Sequence, residues 1–337
     1  MGDLGGRFGV SELPLTLACG DYEIVSALID KKVRPDGIDL NVLTEMDSTT
    51  RHWRFLRNQE FDVAEVSCSS YLIARDQGLP FDALPVFLHR RFRHGFIFIN
   101  TQKGIRSPAD LAGRRIGLKQ FQSTAIVWLR GILQHEYGVP LESIEWVCEL
   151  DETLELAGPS RLKVVRLPND SSVERMLAEG EIDALLHPDL IHPLVEKDPR
   201  VARLFPDFRQ EEIAYYRKTQ IFPIMHVMGI KRSVLERHPW IAINLFHAFD
   251  DAKNAAMKRL ANPRIVPLAW YREAWEEQED LLGRDPWQYG LGRQNAMNLT
   301  TLIDYAHEQG LIRRKPTLDE IFLDAFQGRK RGDEFRI

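Results

Sequence analysis

Residues 85–100 read PVFLHRRFRHGFIFIN. The stretch opens with a basic run, His89, Arg90, Arg91, Arg93 and His94, and closes with Phe96-Ile97-Phe98-Ile99. A short continuous apolar run of this kind suits a strand buried on both faces. Extended geometry sets Arg91 and Arg93 on one face and Phe92 and His94 on the other. Guanidinium and imidazole groups beside a buried strand must meet water, carboxylates or an anionic ligand. The stretch therefore reads either as a solvated strand end or as an anion site at the mouth of a cleft.

Outward from it, the chain of 337 residues can bury a large core and divide into two domains. Its apolar fraction of 44% and charged fraction of 28% are those of a globular protein in water. A net charge of −5 gives no bulk attraction to nucleic acid or to an anionic membrane surface. Cys19, Cys68 and Cys148 are scattered, without metal-ligand spacing, which fits a reducing cytoplasm better than a disulfide framework. The first twenty residues show no basic start followed by an apolar core, so a signal peptide is not expected, nor is a membrane span. Gly2, Gly5, Gly6 and Gly9 suggest a flexible leader, and RKRGDEFRI a frayed tail.

Strands are expected at residues 15–18, 38–43 and 61–66, with helices at 23–31, 48–58 and 71–77. After residue 100 the same order returns: strands at 115–118, 144–147, 162–167 and 182–186, with helices after residues 120–124 and from Ser171 to Gly180. FLRNQEFDVAEV, from Phe55, overlays MLAEGEIDALLH, from Met176, so that Leu56 falls on Leu177, Glu60 on Glu181 and Asp62 on Asp183. The repeated order argues for two α/β lobes of like topology. The chain crosses between them near Asn100 and returns in IFPIMHVMGI, residues 221–230. That divides it into 1–100 with 228–337, and 101–227. The C-terminal third reads as helical, at 239–261, 269–282, 296–310 and 318–327. Ligands in open α/β sheets bind beyond the carboxyl ends of strands. Two facing lobes would bring residues 20–22, 67–71, 91–94, 120–124 and the loop from His187 into one cleft, with His226 on the return crossover. Such lobes are expected to close on a ligand.

This organisation resembles the type II periplasmic-binding-protein fold. The segments LTLACGDYEIVSALID, RPDGIDLNVL, FDVAEVSCSSYL, LPVFLHRRFRHGFIFIN, SPADLAGRRIGL, VWLRGILQHEYGV and IFPIMHVMGIKRSVLERHPWIA are similar to the 4,5-dihydroxyphthalate decarboxylase family. The similarity runs from about residue 15 to about residue 258. The resemblance implies loss of one ring carboxylate from 4,5-dihydroxyphthalate to give protocatechuate, without an organic cofactor. The matching positions are Ser69, Ser70, Arg91, Arg93, His94, Gln122, Thr124 and His226. Where the family has an Arg-containing stretch, this chain has His187-Pro188-Asp189-Leu190-Ile191-His192, and His187 there is expected to face the ligand. The resemblance and the helical C-terminal third also suggest a homo-oligomer.

The residue types suit that chemistry. A dicarboxylate calls for guanidinium forks, here Arg91 and Arg93, and for hydroxyls at helix starts, here Ser69, Ser70 and Thr124 with Gln122 beside them. The serines would serve equally as helix caps. The ring carbon that loses the carboxylate must take a proton, and histidine suits that work. His94, beside the arginines and before a glycine that leaves room for a ligand, is the expected donor, and His226 the second. His226 would also suit a satisfied core position. His187 and His192 flank Asp189, but Pro188 and Pro193 keep them off one helical face, so no metal site is expected. Cys68 reads as a small buried residue. Trp53, Tyr71, Phe92, Phe121 and Phe222 could wall an aromatic ligand or form core. A non-catalytic solute-binding protein is the reading from another class, since fold does not fix function.

Overall fold

The computed structural model describes residues 12–157, 161–168 and 170–326. The glycine-rich leader, the RKRGDEFRI tail and Gln327 lie outside the described residues. Four strands open the chain: β1 (Leu13–Ala18), β2 (Ile38–Leu43), β3 (Val63–Ser67) and β4 (Phe81–Leu84). There follow β5 (Ile97–Asn100), β6 (Arg115–Leu118), β7 (Glu145–Cys148), β8 (Lys163–Arg166), β9 (Ala184–Leu186) and β10 (Val201–Arg203). The last is β11 (His226–Lys231). They form two mixed sheets, ordered β2-β1-β3-β11-β4 and β10-β5-β9-β6-β7-β8. In the first, β1, β2 and β3 are parallel and β11 is antiparallel to both β3 and β4.

The helices are α1 (Ser26–Ile29), α2 (Ser48–Asn58), α3 (Cys68–Asp76), α4 (Thr124–Tyr137), α5 (Val173–Glu179) and α6 (His192–Val195). After them come α7 (Phe208–Thr219), α8 (Arg232–Arg237), α9 (Ile241–Leu260), α10 (Tyr271–Leu282), α11 (Arg293–Glu308) and α12 (Leu318–Ile321). None of the described helices is long and apolar enough to cross a membrane.

The internal duplication has a structural counterpart. Asp62, just before β3, accepts the Thr16 N–H of parallel neighbour β1 at 2.9 Å. Asp183, just before β9, accepts the Arg115 N–H of parallel neighbour β6 at 2.9 Å. In each lobe a carboxylate at the entrance of the central strand satisfies a backbone donor that the shorter strand pairing leaves free.

The chain passes between the sheets twice. β5 pairs with β9 and β10, so the outgoing crossing precedes it, in residues 85–96. There Arg90 makes an isolated antiparallel bridge with Ile224 of the returning segment. Arg91 N–H donates to Pro223 at 3.1 Å and Met225 N–H to His89 at 2.9 Å. The alternation expected at 91–94 survives without a continuous strand, because residues 94–96 turn as a single 3-10 turn before β5.

The C-terminal helices α11 and α12 hold both lobes. The Arg130 Nε–H on α4 donates to Gln309 Oε1 at 2.8 Å, and Gln309 Nε2–H returns to the Val127 carbonyl at 3.0 Å. A Cβ at Gly131 would lie 2.0 Å from the Tyr305 ring, so glycine is what lets α4 and α11 approach this closely. On the other lobe, the Tyr71 hydroxyl of α3 donates to the Ile321 carbonyl of α12. One apolar core accordingly runs through both lobes, from Phe55, Tyr71 and Phe81 to Trp128, Trp146 and Tyr305.

Candidate active site

Between the lobes lies a cavity of about 720 Å³. From the first lobe it is lined by Tyr22, Ser48, Thr49, His52, Ser67 and Ser70, and from the second by Lys119, Gln120, Ser123, Thr124, Glu174 and His187. The crossover segments contribute His89, Arg91, Arg93, Met225 and His226.

Behind its first-lobe wall, bonded to the lining residues Tyr22 and His226, lies Glu65, in a strand with every residue buried. A carboxylate there is tolerable only if its lone pairs are filled. Glu65 Oε2 accepts the Gly20 N–H at 2.8 Å and Arg51 Nη2–H at 2.7 Å. Its Oε1 accepts the Tyr22 hydroxyl at 2.9 Å and pairs with His226 Nδ1 at 2.6 Å. Burial pushes the Glu65 carboxyl up, but the His226 contact and the Arg51 guanidinium outweigh it and hold the group well below the usual carboxylate range. Asp47 caps α2 by accepting the Thr50 N–H at 3.0 Å, and this cap orients the turn that delivers Arg51 and His52.

His52 and His89 flank His226, each with its ring centroid 4.8 Å from the His226 ring and set edge-on to it. Neither ring has a hydrogen-bond partner among the described residues, and His52 Nε2 and His89 Nδ1 are buried. Burial, reinforced by the positive charges around them, pushes His52 far below the ordinary histidine range and His89 down to about 2. Both are neutral imidazoles.

Arg93 is 1% exposed. Its Nη1–H donates to the Pro188 carbonyl at 2.7 Å and its Nε–H lies 3.1 Å from Met225 Sδ. Among the described residues no carboxylate lies within ion-pair distance of it. Burial lowers it to about 9, which leaves it charged at neutral pH. Glu212, an acid whose charge reaches Arg93, is itself raised to about 7 by burial. Arg93 is thus a buried cation on the cavity wall, with the charges of Asp189 and Glu212 reaching it only from beyond ion-pair distance. Arg91 is half-exposed at the rim, 3.7 Å from Asp189. Arg90 is buried but occupied, donating to the carbonyls of Gln288 at 2.9 Å and Phe222 at 3.4 Å and to Asn295 Oδ1 at 2.5 Å.

The hydroxyl-bearing residues at the two helix starts are partly turned inward. Ser70 and Thr124 line the cavity, but Ser69 and Gln122 do not. Thr124 Oγ1 accepts the Ser69 N–H at 2.9 Å and lies 2.7 Å from Ser67 Oγ, while the Ser69 hydroxyl donates to the Gln122 carbonyl. Gln122 Nε2–H donates to Ser70 Oγ at 2.8 Å. These bonds join α3 of one lobe to α4 of the other and form the floor of the cleft. His187 lines the cavity with Nδ1 held at 2.9 Å from the Asp189 carbonyl, and burial lowers its pKa.

His94 stands apart from the sequence expectation. It is 1% exposed and outside the cavity, enclosed by Tyr137, Phe205 and Tyr215 at 5.3 to 6.0 Å. Both ring nitrogens lack a partner among the described residues, and burial lowers it to about 4. The space at Gly95 is taken by Phe208 of α7, whose ring would lie 2.8 Å from an added Cβ, so it receives a side chain and not a ligand. Of the expected aromatic walls, Tyr71 and Phe121 are core, Trp53 is exposed and Phe92 packs on Phe222. Tyr22 and Trp287 line the cavity in their stead. Cys19, Cys68 and Cys148 are all buried and unpaired, and burial raises the Cys68 thiol to about 12. Among the described residues no group of three or more His, Cys, Asp or Glu side chains is arranged to hold a metal ion.

Glu65 and its partner Arg51, with His52 beside them, are the residues that sequence reasoning missed. The available signal was a lone carboxylate in FDVAEVSC, a stretch otherwise fit for a buried strand.

Comparison with known proteins places this arrangement. The family model of the phosphonate periplasmic substrate-binding proteins of ABC transporters matches residues 34–223. Among solved structures, the alkanesulfonate-binding protein SsuA of Xanthomonas axonopodis pv. citri, bound to MOPS, is similar with a TM-score of 0.54 at 14% identity, covering 93% of this chain and 99% of that one. SsuA of Escherichia coli gives 0.53 at 14% identity, covering 97% of each. At that identity the likeness shows the fold: a two-lobed, type II periplasmic-binding-protein-like architecture. Sequence relatives go further. A 4,5-dihydroxyphthalate decarboxylase of Comamonas testosteroni is 34% identical over 322 residues, 93% of this chain and 97% of that protein. Another, of Pseudomonas putida, is 34% identical over 215 residues, 62% of this chain and 83% of that protein. The chain belongs to the 4,5-dihydroxyphthalate decarboxylase family.

Proposed function

We propose that this protein is a cytoplasmic carboxy-lyase that converts 4,5-dihydroxyphthalate to protocatechuate and carbon dioxide without an organic cofactor. The observation that carries the reading is the pairing, in one cavity, of a buried unpaired guanidinium with a carboxylate-backed imidazole. Arg93 binds a substrate carboxylate, since a fork-shaped cation with no internal carboxylate in ion-pair distance among the described residues gains most from a planar anion. Arg91 at the rim can meet the second carboxylate by releasing Asp189. His226 transfers the proton. Met225, which touches Arg93, precedes His226 in the chain, so the carboxylate clamp and the imidazole are neighbours.

The reaction needs no electrons from outside the ring. A hydroxyl para to the departing carboxylate gives up its proton to water, and its electrons move into the ring. The ring carbon bearing the carboxylate takes a proton from Nε2 of His226, which has drawn it from solvent while the Nδ1 hydrogen stays directed at Glu65. The bond to the carboxylate then breaks, its electron pair restores aromaticity, and carbon dioxide leaves. The hydroxyl recovers a proton, so the balance is one proton consumed per carbon dioxide released.

A solute-binding role is favoured by the family model and by the likeness to SsuA. The buried acid–imidazole pair supports chemistry instead, because a receptor for an anion has no use for a proton donor held by a carboxylate. Incubation with 4,5-dihydroxyphthalate, followed by ultraviolet absorption and carbon dioxide release, separates the two. Stoichiometric carbon dioxide is the expected result, and saturable binding without turnover would favour the receptor.

A further inference from the structure

We propose that Glu65 is the positioning residue of the proton-transfer step: it holds His226 with the hydrogen on Nδ1 and Nε2 free for the substrate. The inference rests on the decarboxylase reading and deepens it.

The argument is one of hydrogen-bond capacity. Gly20 N–H, the Tyr22 hydroxyl and the Arg51 guanidinium all donate to Glu65, at 2.7 to 2.9 Å. An ionised carboxylate accepts and never donates. The contact at 2.6 Å from Oε1 to His226 Nδ1 therefore requires the hydrogen to be on Nδ1. A neutral imidazole has one N–H, so the other nitrogen, Nε2, is the site that gains and gives a proton. Arg51 balances the carboxylate charge at 2.7 Å, and the two side chains are 2% and 0% exposed. This fixes Glu65 in the ionised form that the contact needs.

The neighbours show that the contact is selective. Three imidazoles meet at this wall, and one of them has an acid. His52 and His89 lack any partner on their ring nitrogens among the described residues, and burial keeps them neutral. Both pack edge-on against His226 with ring centroids at 4.8 Å, which restricts the rotation of its ring. Tyr22 depends on the same turn, since a Cβ at Gly20 would lie 2.6 Å from its ring. The carboxylate thus ties the β1–α1 loop, α2 and β11 to one imidazole.

Glu65→Gln tests this. The amide oxygen still accepts from Gly20 or Arg51, but the amide nitrogen cannot accept from Nδ1. The expected result is a fall in kcat of about a hundredfold to ten-thousandfold. KM for 4,5-dihydroxyphthalate and the Kd of the unreactive analogue phthalate should stay near wild type, and the pH profile of kcat should move. Wild-type kcat in the variant overturns the proposal, as does a loss of phthalate binding equal to the loss of rate, which would make Glu65 merely structural. Should the variant fail to fold, nitrogen NMR of the histidine-labelled wild type, with His226→Gln for assignment, reads the tautomer directly. A protonated Nδ1 supports the proposal and a bare Nδ1 overturns it. A wild type that turns nothing over overturns the decarboxylase reading and this proposal together, whereas an active wild type with an equally active Glu65→Gln overturns this one alone.

Discussion

Glu65 and His226 sit diagonally across the antiparallel pairing of β3 and β11. The register sets His226 opposite Ser67 and Met228 opposite Glu65, so the two side chains share a face and close to 2.6 Å. Removing the imidazole should therefore separate binding from chemistry. In His226→Asn, phthalate binding measured by calorimetry should be retained while kcat falls by about 10² to 10⁴. Near-normal kcat would pass the proton-transfer role to another group in the cavity, His187 first.

Arg93 should dominate affinity. Arg93→Ala is expected to weaken phthalate binding by about 2–5 kcal/mol, as for loss of one partner of a desolvated charge pair. Arg93→Lys should restore little, because the fork is lost. Arg91→Ala, at the half-exposed rim, should cost less and depend more on salt. Equal affinities in wild type and Arg93→Ala would remove the anion-site reading.

His94 should be felt in stability and not in turnover. Its folded pKa is depressed by burial to about 4, against an ordinary histidine value of 6.5. The unfolded chain binds a proton on this residue below pH 6.5 and the folded chain does not, so stability is lost as pH falls from about 6.5 to about 4. The loss amounts to about 3 kcal/mol over that window. His94→Phe, inside its ring of Tyr137, Phe205 and Tyr215, should remove it. Urea unfolding at about pH 7.5 and about pH 4.5, on either side of most of that window, measures the difference. A variant as acid-sensitive as wild type would contradict the assignment.

Lobe closure should be small. The Ser69–Thr124 and Ser70–Gln122 bonds join the lobes at the cleft floor, and Gln309 anchors α11 to α4. Small-angle scattering curves with and without phthalate should superimpose. A marked contraction on binding would show that these contacts yield and would bring back the closure expected of two-lobed receptors.

Much of the fold was legible because its elements follow simple periods. β2, α2 and β6 fall where the pattern puts them. β4 and α7 were missed. α7 carries mostly polar residues and buries only Tyr215 and Tyr216, so its apolar face is too thin to read. The cavity lining was legible where an unbalanced basic run marked it, as at Arg93, and the site was illegible where a partner lay far along the chain, as in the pairing of Glu65 with His226. His94 is instructive because the alternation that sets Arg91 and Arg93 on one face sets His94 on the other. That signal was present, and nearness in sequence outweighed it.

The acid and the imidazole of the wall come from positions 161 residues apart, with the whole second sheet between them. A nascent chain that has made β1, β2 and β3 carries Glu65 and Arg51 but not the residue that fills the last lone pair. Long-range pairing of this kind is slow to form. The wall is complete only with β11 in place between β3 and β4, and β11 follows every strand of the second sheet in the chain. An N-terminal fragment ending before His226 leaves one lone pair of Glu65 unfilled and lacks the imidazole proposed to transfer the proton.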